Sequence, residues 1–241
     1  HHRHHASENK KAIKEHKKVS SKKIKGLVDA TSRYRSDCSL LVTEGESAAS
    51  MITEARDPQT IGSFPLTGKI NNVYGKTVAQ VLNMGKLTDL LAACGLTPGV
   101  TASKQDLRYG KIVIATDADF DGDDIFTLLV NLFYQFWPEL FEQDIIHRLV
   151  APNVCLTKGN KRKHFATREA YEKQKSKYKG WEVHYYKGLG SMERADWDMI
   201  LSGQTDTLIP ITTDNAMAET LELLFGNDAE ARKEWLQSET E

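Results

Sequence analysis

Asp117, Asp119 and Asp121 alternate along the segment Thr116-Asp117-Ala118-Asp119-Phe120-Asp121-Gly122, which places three carboxylates within five residues. Side chains two apart on an extended chain share a face and lie roughly 7 Å apart. A pair of carboxylates at about 4 Å repels by about 4 kcal/mol at an effective dielectric near ~20. Such a group needs a cation or must accept raised pKa values, and oxygen-only ligands favour Mg2+, Mn2+ or Ca2+. The pattern Asp-x-Asp-x-Asp-Gly also opens an EF-hand calcium loop. An EF-hand needs a glutamate at loop position 12. Counted from Asp117, that position is Leu128. A solvated acidic turn capping the following helix accounts for Asp123 or Asp124. It does not account for three earlier alternating carboxylates.

The elements around this cluster are a strand and a helix. The run Ile112-Val113-Ile114-Ala115 has the length and β-branching of a buried strand, and 125–137 is long enough for a buried helix stopped by Pro138. Carboxylates where a strand ends and a helix begins occupy the ligand position of an open α/β sheet. Ser39 to Thr43 reads as another buried strand, ending at Glu44-Gly45-Glu46-Ser47 before a helix of small residues. A further strand is expected over 62–66, helices over 78–84 and 86–94 with Gly85 and Gly95 as stops, and strands over 145–150 and 153–158. Gly159-Asn160 reads as the turn of a hairpin with 162–167. A charged helix over 168–178, a strand over 181–186 and short helices over 192–201, 214–225 and 229–237 complete the chain. Strand and helix alternate from 39 to 150, which predicts an α/β fold with a mostly parallel sheet covered on both faces.

The chain has 241 residues, 40% hydrophobic and 27% charged, with a net charge of −1. That composition is that of a globular protein. No apolar run reaches the ~18 residues of a membrane span, so no membrane partner is expected. No signal peptide is expected either. Cys38, Cys94 and Cys155 are odd in number and far apart, which fits reduced thiols better than a disulfide framework. Residues 1–35 hold eleven Lys or Arg against three Asp or Glu, a net of +8 that leaves −9 on the rest. A basic lead on an acidic body fits either a polyanionic partner or a lysine-rich solvated helix or linker. His1-His2-Arg3-His4-His5 has the look of a purification-tag remnant.

Glu44 repeats the setting of Asp117: it terminates a buried strand and a glycine follows. In a doubly wound sheet two strand ends are often neighbours, so Glu44 and the aspartates are expected to share a crevice suited to metal-assisted phosphoryl chemistry. Further motifs extend the pattern. Thr43-Glu44-Gly45-Glu46-Ser47-Ala48 resembles the EGDSA motif of the type IIA DNA topoisomerases. Pro65-Leu66-Thr67-Gly68-Lys69-Ile70-Asn71-Asn72-Val73 resembles their PL(R/K)GK-x-LNV segment. Leu107-Arg108-Tyr109-Gly110, followed by the aspartate segment, resembles their LRY and TDxDxDG block. Tyr185-Tyr186-Lys187-Gly188-Leu189-Gly190 resembles YKGLG, and Ala231 to Leu236 resembles the DRKEWL run of the eukaryotic branch. The motifs stand in family order over residues 24 to about 237. The pattern resembles most the T4-like phage large subunits, with the eukaryotic enzymes next.

The resemblance implies a Rossmann-like TOPRIM fold over 36–150, after a tag remnant and basic linker over 1–35. A smaller C-terminal α/β extension carrying YKGLG is expected over 151–241. By the same resemblance Glu44, Asp117 and Asp119 are catalytic and ligate Mg2+, with Asp121 assisting and Mn2+ or Ca2+ as possible substitutes. The implied reaction is reversible double-strand DNA cleavage by a tyrosine on a winged-helix subunit or domain, within ATP-dependent strand passage by a larger symmetric oligomer. ATP would act through a domain that precedes the basic lead in the family. Lys69 is a candidate contact to the DNA backbone or a surface lysine. Lys187, beside two glycines, can lie close to a phosphate. Arg108 is either a backbone contact or one half of a structural ion pair. The implied location is the cytoplasm, of a bacterial host for a phage protein, or the nucleus for a eukaryotic one.

Three positions depart from the family pattern: Glu46 stands for Asp, Thr67 for a basic residue, and Asp123-Asp124 for Ser-His. No role is carried over to them. Two other readings remain open: a different TOPRIM phosphotransfer enzyme, such as a primase or nuclease, and a non-catalytic DNA-binding module. The former keep a Glu and a DxD but lack the PLTGKINNV and YKGLG segments.

Overall fold

The computed structural model describes residues 2–19, 24–67, 73, 76–117, 125–205 and 207–212. The expected helices over 214–225 and 229–237 lie outside them, as does the Ala231–Leu236 motif.

The main sheet contains β1 (Ser39–Thr43), β2 (Ile61–Pro65), β3 (Lys111–Ala115), β4 (Ile146–Leu149) and β8 (Leu208–Pro210), in the order β2-β1-β3-β4-β8. The first four strands are parallel and β8 pairs antiparallel with β4. This is the expected α/β architecture with a mostly parallel sheet. The β1 and β3 side chains alternate between two hydrophobic cores. Leu40, Val42, Ile112 and Ile114 face one, and Leu41, Val113 and Ala115 face the other. The first core is closed by α3 (Val78–Leu82), α4 (Lys86–Cys94) and α5 (Ile125–Phe136) through Val81, Leu90, Leu91, Leu129 and Phe133. The second is closed by α2 (Glu46–Ala55) and α8 (Arg194–Leu201) through Ile52, Trp197 and Ile200. Burial on both faces is why these strands read as continuous apolar runs rather than alternating ones.

Local chemistry sets the ends of the helices. Thr77 caps α3 with a reciprocal capping box to Gln80. Gly95 ends α4 in the left-handed region at φ 75°. Pro138 ends α5 as expected and opens α6 (Glu139–Glu142), a turn of helix that the sequence reading did not anticipate. Among the described residues no helix is long and apolar enough to cross a membrane.

After β4 the chain builds a second sheet of β5 (Val154–Lys158), β6 (Lys161–Phe165) and β7 (Glu182–Tyr185), antiparallel in the order β6-β5-β7. The hairpin turns at Gly159-Asn160, with Lys158 opposite Lys161. α7 (Arg168–Gln174) covers a small core of Val154, Leu156, Phe165 and Tyr171. The chain then returns to the main sheet: α8 packs on its second face and β8 becomes its edge.

The lead segment, read above as a lysine-rich solvated helix or linker, is a helix whose described side chains are mostly exposed. It forms α1 (His2–His16), with no separate helix start at the expected tag boundary. Asn9 Oδ1 accepts from the Ala79 amide of α3 at 3.2 Å. His16 is buried, and its Nε2 bonds the Leu96 carbonyl at 2.7 Å. The positive charge of this segment therefore belongs in part to a docked helix.

Candidate functional site

The topology marks one end of the main sheet. From β1 the chain crosses to β2 on one side and later to β3 on the other, so strand order reverses between β1 and β3. In open α/β sheets ligands bind beyond the strand C-termini at such a switch point. Thr43 is the register partner of Ala115, which puts Glu44 level with Thr116 and one residue from Asp117. Neighbouring strands lie about 4.8 Å apart. The register thus sets Glu44 and Asp117, 73 positions apart in sequence, at the ends of the two adjacent strands that flank the switch point.

Glu44 is exposed and Asp117 half-buried. Thr43, buried before Glu44, donates its hydroxyl to the Gly45 carbonyl at 2.8 Å and so fixes the turn into α2. Asp117 is held from across the chain: its Oδ1 accepts the Leu189 amide at 2.8 Å. Gly188 lies against the same carboxylate, and there is no room for a side chain between them. The Leu189 side chain is buried in the second core. Lys187 is exposed, and its amide donates to Ser191 Oγ at 3.3 Å. The glycine-lysine motif and the acidic strand ends therefore form one assembly. Asp119, Asp121 and Lys69 lie outside the described residues.

The donor set suits a hard divalent cation. Glu44 and Asp117 offer carboxylate oxygens from two adjacent strand ends. The buried hydroxyl of Thr116, level with Glu44 and next to Asp117 in sequence, has no hydrogen-bond partner among the described residues. Glu44 and Asp117 are the described residues that would hold Mg2+, with the sequence placing Asp119 and Asp121 next along the chain.

Arg108 is placed elsewhere. It precedes β3, at the opposite end of that strand from Asp117. Its Nη2 donates to the Val19 carbonyl at 3.0 Å, its amide donates to the Cys94 carbonyl, and its own carbonyl accepts from Arg35 Nε at 2.8 Å. Arg35 also pairs with Asp29 at 2.7 Å, and Tyr109 donates its hydroxyl to that same Asp29. The Leu107-Arg108-Tyr109-Gly110 motif thus ties the lead segment to the base of the sheet. A cavity of about 660 Å³ opens there, lined by His16, Asp29, Arg35, Leu96 and Arg108. It is at the wrong end of the strands to serve Glu44 and Asp117.

A second cluster was missed in the sequence reading. Asp196, fully buried at the third position of α8, accepts five hydrogen bonds. Its Oδ1 takes Arg162 Nη1 at 2.8 Å, His164 Nε2 at 2.6 Å and the Cys155 thiol at 3.5 Å. Its Oδ2 takes the Tyr186 hydroxyl at 2.7 Å and the Glu193 amide at 2.8 Å. Burial alone would raise the Asp196 pKa. The hydrogen bonds from His164, the Glu193 amide, Tyr186 and Arg162 outweigh it and hold the carboxyl well below the usual range. Cys155, His164 and Asp196 come close enough together to share a metal ion. The Arg162 guanidinium already fills the cation position beside Asp196, so we read the cluster as a buried ion-pair hub. The hairpin turn carried a signal for part of it: a two-residue loop at 159–160 puts Cys155 opposite His164.

Residues 39–151 match the Toprim domain family, and residues 149–241 match the C-terminal associated domain of TOPRIM. A DNA gyrase subunit of Thermotoga maritima is 33% identical over 216 residues, covering 88% of this chain and 34% of that protein. The DNA topoisomerase 2 of Plasmodium falciparum is 32% identical over 230 residues, covering 90% of this chain and 16% of that protein. A crystal structure of the Plasmodium falciparum topoisomerase II DNA-binding, cleavage and re-ligation domain superimposes with a TM-score of 0.74 at 30% identity. It covers 89% of this chain and 31% of that one. The chain thus spans about a third or less of the length of these relatives. It is a Toprim domain joined to its C-terminal associated domain, homologous to that region of the type IIA DNA topoisomerases.

Proposed function

We propose that this chain supplies the acidic, metal-holding half of the DNA-cleavage site of a type IIA topoisomerase, for a tyrosine on a partner chain or domain. The observation that carries this reading is the meeting of Glu44 and Asp117 at the switch point, with the Lys187–Leu189 loop bonded to Asp117.

Glu44 and Asp117, with Asp119 and Asp121, would hold Mg2+ or Mn2+. Bound there, the cation would supply Lewis-acid stabilisation of charge on the phosphate oxygens. Lys187, exposed beside the loop that holds Asp117, is read as a contact to a DNA phosphate, and Lys69 as a second backbone contact. In the reaction the tyrosine oxygen bonds to phosphorus as a sugar oxygen leaves, and the reverse transfer reseals the strand with no water consumed. Strand passage in double-stranded DNA, driven by ATP bound elsewhere in a symmetric oligomer, is the setting that the motif resemblance implies. The likeness to T4-like phage large subunits, with a host cytoplasm as its location, rests on the motifs.

The test uses the full-length protein assembled with its tyrosine-bearing subunit or domain, supercoiled DNA and Mg2+. Detergent should trap protein-linked double-strand breaks. Glu44→Gln and Asp119→Asn should each abolish them while DNA binding is largely kept. Cleavage that survives both substitutions overturns the metal assignment. Breaks with no protein attached would favour a hydrolytic TOPRIM nuclease, and binding without any cleavage would favour a DNA-binding module.

A further inference from the structure

The Asp196 hub stands outside the proposed cleavage site, yet its donors lead directly to it. Cys155 comes from β5, Arg162 and His164 from β6, and Tyr186 from the residue after β7. One carboxylate on α8 therefore fastens β5, β6 and the end of β7 where the chain leaves it. Tyr186 is doubly held, because its amide also donates to the Asn153 carbonyl at 2.8 Å. Three residues later the Leu189 amide reaches Asp117. The intervening Lys187 and Gly188 are thus strung between two carboxylates, one in the hub and one at the strand end.

We propose that Asp196 is a positioning residue for the Lys187–Leu189 loop, setting it against Asp117 through the Tyr186 hydroxyl. Two features make the hub suited to this task. The Asp196 carboxylate is fully buried, so its end of the half-buried Tyr186 bond is shielded from solvent. It also sits at the start of α8, the helix whose Trp197 and Ile200 pack with Leu189 in the second core. Leu189, α8 and the β3 residues Val113 and Ala115 thus share one core, against which the hub sets the loop. A carboxylate with five donors tolerates no partial occupancy, since losing one partner leaves buried polar groups unsatisfied. The proposal rests on the cleavage reading only for its activity arm.

Tyr186→Phe removes a single hydroxyl and keeps the ring, which isolates the link from the fold. In the full-length protein, hydrogen exchange at the peptide containing Leu189 should quicken about tenfold, while exchange in the β3 segment around Val113 stays as in the wild type. In the assembled enzyme the Mg2+ concentration for half-maximal cleavage should rise several-fold with DNA affinity unchanged. Asp196→Asn should show both effects more strongly. Unchanged exchange at Leu189 in Tyr186→Phe overturns the proposal, whatever the activity. Faster exchange with an unaltered Mg2+ dependence overturns it too, because the loop's position would then not reach Asp117. A wild-type protein without cleavage activity would count against the functional reading and leave the exchange result to decide this one.

Discussion

Gly188 and Asp117 are packed too closely for any side chain between them: a Cβ on Gly188 would lie 2.6 Å from Asp117 Oδ1 and 2.9 Å from its Cγ. The Gly188 backbone is extended, at φ 172°, so the demand is for space and not for an unusual conformation. The atoms in the way belong to the tip of a side chain. Gly188→Ala should therefore push the carboxylate aside rather than unfold the protein. We expect a thermal midpoint within about 3 °C of wild type and Mg2+-dependent cleavage reduced about tenfold or more. Full cleavage by Gly188→Ala would show that Asp117 can shift without consequence.

Lys187 and Arg108 should separate in a salt titration. Lys187 is exposed beside Asp117, whereas Arg108 bonds the Val19 carbonyl at the far end of β3. Lys187→Gln should reduce the slope of log affinity for DNA against log salt by about 1. Arg108→Gln should leave that slope alone and lower thermal stability. The opposite pattern would move the DNA surface to the other end of the sheet.

Gly110 closes the Leu107-Arg108-Tyr109-Gly110 motif for a structural reason. A Cβ there would lie 2.0 Å from the Ser36 carbonyl oxygen, which is backbone. Gly110→Ala should destabilise the protein by on the order of 3 kcal/mol, with cleavage per folded molecule unchanged. Chemical denaturation beside an active-fraction measurement checks this; a stable but inactive variant would assign the motif to the reaction.

Stability should fall on mild acidification. Burial lowers the His16 pKa below its ordinary 6.5, partly offset by the Leu96 carbonyl and reinforced by the nearby Arg108 charge. His147 in β4 is lowered by burial as well. Both stay neutral in the fold, so the unfolded chain binds more protons as pH drops. The stabilisation is present above about pH 6.5 and lost as pH falls below it. Thermal midpoints measured from about pH 7.5 to about 5.5 should decline, and His16→Gln should remove part of that decline. An identical pH slope in the variant would acquit His16.

Strands β1 and β3 were legible because burial on both faces writes them as unbroken apolar runs, and Glu44 and Asp117 followed as the residues at their ends. The hairpin was legible from Gly159-Asn160. β8 was not: Leu208-Ile209-Pro210 is too short for a period, and what makes it a strand is an edge supplied by β4, about sixty residues earlier. α1 was legible only as a lysine-rich solvated helix or linker, because its lysines hide the few contacts, Asn9 and His16, that dock it. The Asp196 hub joins residues from two strands, from the segment that follows a third, and from a helix. Only the Cys155–His164 pair could be read from the hairpin register; the rest required the order β6-β5-β7 and the return of α8.

The return of the chain through β8 bears on how the protein can be divided. The Val150 amide bonds the Thr207 carbonyl and the Ile211 amide bonds the Ile146 carbonyl, both at 2.9 Å. A fragment cut at 151, where the first family match stops, would strip β4 of this neighbour and uncover the second core that α8 roofs. Its bare strand margin would be a template for pairing with another copy. Expressed alone, such a fragment should recover from the cell chiefly as aggregates, whereas one carried through 212 should remain monodisperse.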